Sequence, residues 1–262
     1  MKSKIVILTA TLAGLALFIP SAEAEAGIDP TAIERAMERA SLRSSATELA
    51  TSVKPLDAAL AADAKNPALL YARGFAHYAA TAPLRAAKNK EALIAEFERA
   101  IAVLERVKGQ PWEAEAAALH SSILGSLIGL KGGLSGMTLS PKAAKLIDRA
   151  AKALPGNPRV LMVRGTTLVN TPPAFGGDVA GGAKLLAQAA EIFAATETAE
   201  GKDKGAEPGP RWGRAETLAW LGIARKKMGD SVGARAAWEG ALALEPDYGW
   251  VKFALLPSLA QK

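Results

Sequence analysis

The sequence predicts an all-α fold, and three observations carry that expectation. Half of the 262 residues are hydrophobic yet only 5% are aromatic, so the interior is built from Ala, Leu, Ile and Val, side chains that suit closely packed helices. Strand formers are sparse, and no apolar alternation of period two persists. Apolar residues recur instead at helical spacing, in segments punctuated by Gly, Pro, Asn and Asp. Length and hydrophobic fraction together suffice for a real core and argue against disorder.

The first element reads as an address. Lys2 and Lys4 precede an apolar run over residues 5–19, Pro20 interrupts it, and Ala22-Glu23-Ala24 supplies an A-x-A site. This predicts a secretory signal peptide over 1–24, cut before Glu25, with a second A-x-A that would cut before Gly27. The run is shorter than the ~20 residues a spanning helix needs, and no later stretch is long and apolar enough to span a membrane. The expected location is periplasmic or secreted.

There is no cysteine, which excludes lipidation at a cleavage-site Cys, disulfides, thiolate nucleophiles and Cys-ligated metals. The net charge is +6. Loss of Lys2, Lys4 and Glu23 with the leader would leave about +5. The excess is spread along the chain without basic clusters and interleaved aromatics, which makes nucleic acid an unsuitable partner.

Residues 30–64 read as N-terminal helices with Pro55 marking a break or kink. Four helical pairs follow over 66–248. First helices are expected at 67–80, 112–130, 158–170 and 214–228, and their partners at 88–107, 141–154, 179–196 and 231–244. Residues 200–213, EGKDKGAEPGPRWG, form a charged Gly/Pro linker whose Trp212 is placed to pack back on the helices. Residues 249–262 make a short closing helix around Pro257.

The clearest pair is 215–248, AETLAWLGIARKKMGDSVGARAAWEGALALEPDY. Leu221-Gly222, Ala234, Trp238, Ala241 and Pro246 fall at the places that define a tetratricopeptide repeat, which this stretch resembles. Upstream copies are degenerate: Gly165 with Ala183, Ala187 and Ala190; Leu124-Gly125 with Ala143, Ile147, Ala150 and Pro155; Gly74 with Leu93, Phe97 and Ala100. The resemblance implies a right-handed α-α solenoid of about four pairs, with terminal capping helices because an end unit lacks a neighbour. In the three upstream pairs the turn is longer than in the last one. Insertions at 81–87, 131–140 and 171–178 would then cluster as loops on one rim.

The third insertion contains NTPPAFGGD, residues 170–178. Two readings stand. In one, Phe175 and Asp178 offer an aromatic face and a carboxylate to a partner. In the other, Phe175 plugs the helix pair and Asp178 caps the next helix. The P-x-x-F-G-G-D wording resembles a loop of exported bacterial tetratricopeptide-like proteins, among them helical accessory components of some tripartite ATP-independent periplasmic transporters. Many of those are lipidated, and this chain departs from them in having no Cys.

Lys142, Lys145, Arg149 and Lys152 share one helix face, either a solvated surface or a stripe for an anionic partner. The repeat resemblance also implies a concave groove lined by first-helix residues: Tyr71, Phe75 and Tyr78, then Ser122 and Ser126, then Met162, Thr166 and Asn170, then Lys226 and Lys227. The three aromatics fit plain core equally well. Catalysis has no constellation to rest on. Gly132-Gly133-Leu134-Ser135-Gly136 follows no strand and lacks a Gly-Lys-Ser/Thr end. There is no G-x-S-x-G. His77 and His120 lie in different pairs without a second ligand nearby, so no metal or cofactor is expected. The function expected is therefore binding: a scaffold or accessory protein in the cell envelope that engages another envelope protein or an extended peptide. The alternative is a small-molecule-binding component serving a periplasmic transporter.

Overall fold

A computed structural model describes residues 30–109, 111–132, 134–200 and 212–260. The signal peptide expected at 1–24 and most of the linker lie outside the described residues. Among the described residues there are eleven α-helices and no strand. They are α1 (Pro30–Leu42), α2 (Ala46–Ala62), α3 (Pro67–Ala79), α4 (Thr81–Ala86), α5 (Lys90–Leu104), α6 (Trp112–Lys131), α7 (Ser135–Ala153), α8 (Pro158–Asn170), α9 (Val179–Glu200), α10 (Arg214–Lys227) and α11 (Ser231–Leu244). No described helix is long and apolar enough to cross a membrane.

Helix starts follow local side-chain chemistry. Ser45, Asn66, Asn89, Asn157 and Asp230 each accept a backbone N–H of the first turn of the helix they precede, satisfying donors that have no intrahelical partner. Asn66-Pro67 and Asn157-Pro158 combine the cap with proline at the first helical position, where no N–H is needed. Both open the same phrase, N-P-x-x-L-x-x-R-G, ending at Arg73-Gly74 and Arg164-Gly165. The phrase thus recurs at the starts of α3 and α8.

The helices pack as consecutive hairpins: α1 on α2, α3 on α5, α6 on α7, α8 on α9 and α10 on α11. Gly222 lies under the fully buried Trp238, whose indole N–H donates to the Ala219 carbonyl at 2.9 Å. A Cβ at Gly222 would sit 2.2 Å from that indole nitrogen. Gly165 is pressed likewise against Leu186, and Gly74 against Leu104. Most buried apolar side chains of α1–α10 form one continuous core, and a second cluster joins α10, α11 and the C-terminal turns.

Several expectations are corrected. Residues 30–64 are helical as expected, paired as α1 and α2, but Pro55 does not break the chain there, because α2 continues through it. Residues 131–140 are not a loop: α6 continues to Lys131 and α7 begins at Ser135, so the insertion lengthens two helices instead of the turn. Residues 81–87 are mostly the short helix α4. Gly125 is exposed, with open space where its Cβ would be. The close approach of α6 to α7 falls at Ser121, whose buried hydroxyl donates to the Ala143 carbonyl at 2.9 Å. In α9 the large packing residue is Leu186, not Ala187. The closing segment is a π-helical turn, Val251–Leu255, and a 3-10 turn, Pro257–Leu259.

Candidate functional site

The first helices α1, α3, α6, α8 and α10 touch one another in order. Between the ends of that row the chain has placed its own segment, Trp212-Gly213. Trp212 stacks on Phe75 with ring centroids 4.8 Å apart and planes 20° off parallel. Its indole N–H donates to the Tyr71 hydroxyl at 2.9 Å. The Gly213 N–H donates to Glu38 Oε1 at 2.8 Å, and the Tyr78 hydroxyl donates to Glu216 Oε1 at 2.9 Å. A Cβ on Gly213 would lie in contact with Phe193, Arg159 and Met162. Tyr71, Phe75 and Trp212 are 0%, 2% and 2% exposed. The aromatic row expected along a groove is thus packed as core, the second of its two readings, and the linker tryptophan that closes it does pack back. Burial pushes the Tyr71 and Tyr78 hydroxyls well above the ordinary tyrosine range.

Beside this seam lies a buried ion pair that sequence reasoning missed. Arg159 Nη2 donates to Glu115 Oε1 at 2.7 Å and its Nε to Oε2 at 3.0 Å, while the Asn157 amide donates to the same Oε1 at 2.5 Å. Burial works against the charge on Arg159, but the Glu115 carboxylate outweighs it and leaves the guanidinium pKa above its usual value. Neither residue belongs to a recognisable motif, and their sequence separation of 44 gives no local signal.

The remaining candidates are dispersed. Thr166 and Asn170 lie on α8 and bond within it: the Thr166 hydroxyl donates to the Val163 carbonyl, and the Asn170 amide to the Thr166 carbonyl. Lys226 donates to the Ser258 carbonyl and hydroxyl, both at 2.8 Å, tying the closing turn to α10. Lys227 donates to the Val169 carbonyl at 2.7 Å, near the C-terminus of α8. In the stripe, Lys142 pairs with Glu105 at 3.1 Å and Arg149 lies 3.8 Å from Glu113, while Lys145 and Lys152 face solvent.

The NTPPAFGGD turn combines parts of both its readings. Asp178 Oδ1 accepts the Gly181 N–H at 2.9 Å, which is a cap at the start of α9. Phe175 does not plug the hairpin: it is 81% exposed. The turn beneath it is closed by its own backbone. The N–H groups of Phe175 and Gly177 donate to the Pro172 carbonyl at 2.9 and 3.2 Å, and that of Asp178 to the Leu168 carbonyl at 3.1 Å. Gly176 holds φ at 89°, and a Cβ on Gly177 would collide with the Thr171 carbonyl. Both glycines are therefore required by the shape of the turn.

A cavity of about 130 Å³ opens between α5, α6, α7 and the chain after α5. Leu104, Val107, Ala116, Ala117 and Leu146 make its apolar wall, and Glu105, Lys108, Glu113, Lys142, Arg149 and His120 supply charge and polarity. His120 is 4% exposed, and its Nε2 has no hydrogen-bond partner. Burial, reinforced by Lys142 and Arg149, pushes its pKa down to about 4, so the ring is neutral at pH 7. His77 is held differently, with Nδ1 2.7 Å from Glu96 Oε2. Among the described residues no three His, Asp or Glu side chains gather as a metal set.

Compared with protein-family models and with curated proteins, the chain matches none.

Proposed function

We propose that this chain is a binding protein, a tetratricopeptide-like solenoid of helical hairpins acting as a scaffold or accessory protein in the cell envelope. It engages another envelope protein or an extended peptide through the turn that carries Phe175. Glycine or serine contacts in four hairpins and the orderly succession of first helices support the repeat reading. One observation carries the binding reading: Phe175 is held out in solvent by a turn whose backbone is hydrogen-bonded, proline-stiffened and glycine-dependent. An aromatic presented this way loses little conformational freedom when a partner covers it.

The test is photo-crosslinking from position 175, with benzoylphenylalanine in place of Phe175, in cells of the source organism. The expected result is one discrete adduct, absent when the probe replaces the exposed Val232 on α11. Identical adduct patterns from both positions, or none from 175, would remove the reading.

Handling of a small molecule is the second reading, favoured by the cavity that His120, Lys142 and Arg149 line beside Leu104, Ala117 and Leu146.

A further inference from the structure

The closing segment, residues 249–260, caps the last hairpin, and its two sides obey opposite rules. On the inner side Val251 is fully buried, and Leu255, Leu256 and Leu259 pack on the core cluster shared by α10 and α11. Trp250 meets Trp220 edge-on with ring centroids 5.3 Å apart, and the Lys226 ammonium donates to Ser258 at 2.8 Å. The segment therefore runs along α10 from Trp220 to Lys226. On the outer side Trp250, Phe253, Ala254 and Pro257 are spaced three and four apart and are all exposed, Phe253 at 76%. A terminal cap ordinarily turns a polar face to water. This one turns an apolar stripe with a phenylalanine at its centre, and such a stripe marks a contact.

Cations surround the stripe. Lys252 stands beside it, with Nζ 5.8 Å from the centre of the Phe253 ring and 3.6 Å from Asp247 Oδ1. At the end that Ser258 touches, Arg225, Lys226 and Lys227 close α10. Each donates to a neutral oxygen: the Gly233 carbonyl, Ser258 and the Val169 carbonyl. Residues 248–262 contain no Asp or Glu. The two acids nearest in sequence are engaged, Asp230 in capping α11 and Asp247 with Lys252.

We propose that this stripe docks the protein on the surface of an anionic lipid bilayer. Phe253 and the edge of Trp250 enter the headgroup layer, while Lys252 and the basic end of α10 meet the lipid phosphates. Area and charge select this occupant. Fully covered, the two aromatics would bury roughly 300 Å², well short of the ~800 Å² that each partner of a stable protein complex buries. A bilayer surface needs no matching face, and it accepts one or two aromatic rings flanked by lysine. The cations beside the stripe, on a chain of net charge +6, complement anionic lipid. The proposal goes beyond the partner binding inferred above and does not involve the Phe175 turn.

The test is flotation of the full protein with two kinds of vesicle, phosphatidylcholine alone and phosphatidylcholine mixed equally with phosphatidylglycerol. The expected result is binding to the mixed vesicles alone, weakened by added salt. Phe253→Ser changes an exposed side chain and leaves the urea midpoint in place, yet lowers the partition coefficient about tenfold, as loss of an inserted apolar group does. Phe253→Leu keeps most of the binding, and Phe175→Ser keeps all of it. Absence of flotation with both vesicles, or equal flotation of F253S and the wild type, overturns the proposal. Equal binding to both vesicles overturns the anionic assignment. Loss of flotation in F175S with none in F253S moves the bilayer contact to the Phe175 turn. A lipid-free dimer that F253S dissociates assigns the stripe to a second copy of the chain instead.

Discussion

Gly222 and Gly125 both follow a leucine in the middle of a first helix, and they answer opposite demands. A methyl at Gly222 meets the Trp238 indole, which is pinned by its bond to the Ala219 carbonyl, so the ring must move or the hairpin must open. Gly222→Ala is expected to cost about 2 kcal/mol, as overpacking does. At Gly125 a methyl meets nothing, and the added helix propensity should stabilise by roughly 0.5–1 kcal/mol. Urea unfolding of the two variants checks the contrast in sign. Leu221-Gly222 and Leu124-Gly125 read identically as dipeptides, and this bounds what was legible at this scale. The glycine's role is set by where its partner helix lies, and residues 131–140 shift that register by joining the helices. His120 was similarly opaque. Its isolation in sequence carried no sign that Nε2 would be buried without a partner.

At the scale of elements more was legible, because caps and stops are local. The first helices at 158–170 and their counterparts at 67–79, 112–131 and 214–227 lie within a residue of where apolar spacing and prolines put them. The two Asn-Pro starts allow a graded test. Asn66 caps α3 through the Ala68 and Leu69 N–H groups, and Asn66→Ala should cost about 1 kcal/mol. Asn157 caps α8 in the same way and also donates to Glu115. Asn157→Ala therefore loses a bond to a buried carboxylate as well, for a total of about 2–3 kcal/mol. Equal effects of the two changes in thermal unfolding would mean that the Glu115 contact contributes nothing. Local signals misled at two prolines. Pro55, read as a break or kink, and Pro141, read as the start of a helix, both sit inside continuous helices, on exposed faces where water can satisfy the freed carbonyl.

The whole molecule depends on contacts between hairpins distant in sequence. Arg43 meets Glu245 at 3.1 Å and Trp212 meets Tyr71, over separations of 202 and 141 residues. Trp212→Ala empties a buried aromatic site that joins α3 to the start of α10, and is expected to cost about 3–5 kcal/mol. Hydrogen exchange should then report loss of protection in α1, α3 and α10 together. Loss confined to α10 and α11 would mean that the hairpins are stacked without this closure. Glu216 makes the same seam sensitive to pH. Burial raises its pKa above the ordinary carboxylate value, and hydrogen bonds from Tyr78 and Trp220 offset part of that rise. The folded chain thus holds this proton more tightly than the unfolded chain does. The resulting stabilisation is complete below the ordinary glutamate range and is lost as pH climbs through the raised pKa. Glu216→Gln keeps a neutral acceptor for the Tyr78 hydroxyl at every pH. Its stability relative to the wild type should therefore increase with pH across that window and stay constant above it. Urea midpoints of both proteins across a pH series measure the difference. A flat difference would show that the carboxylate bears no burial cost between the second and last hairpins.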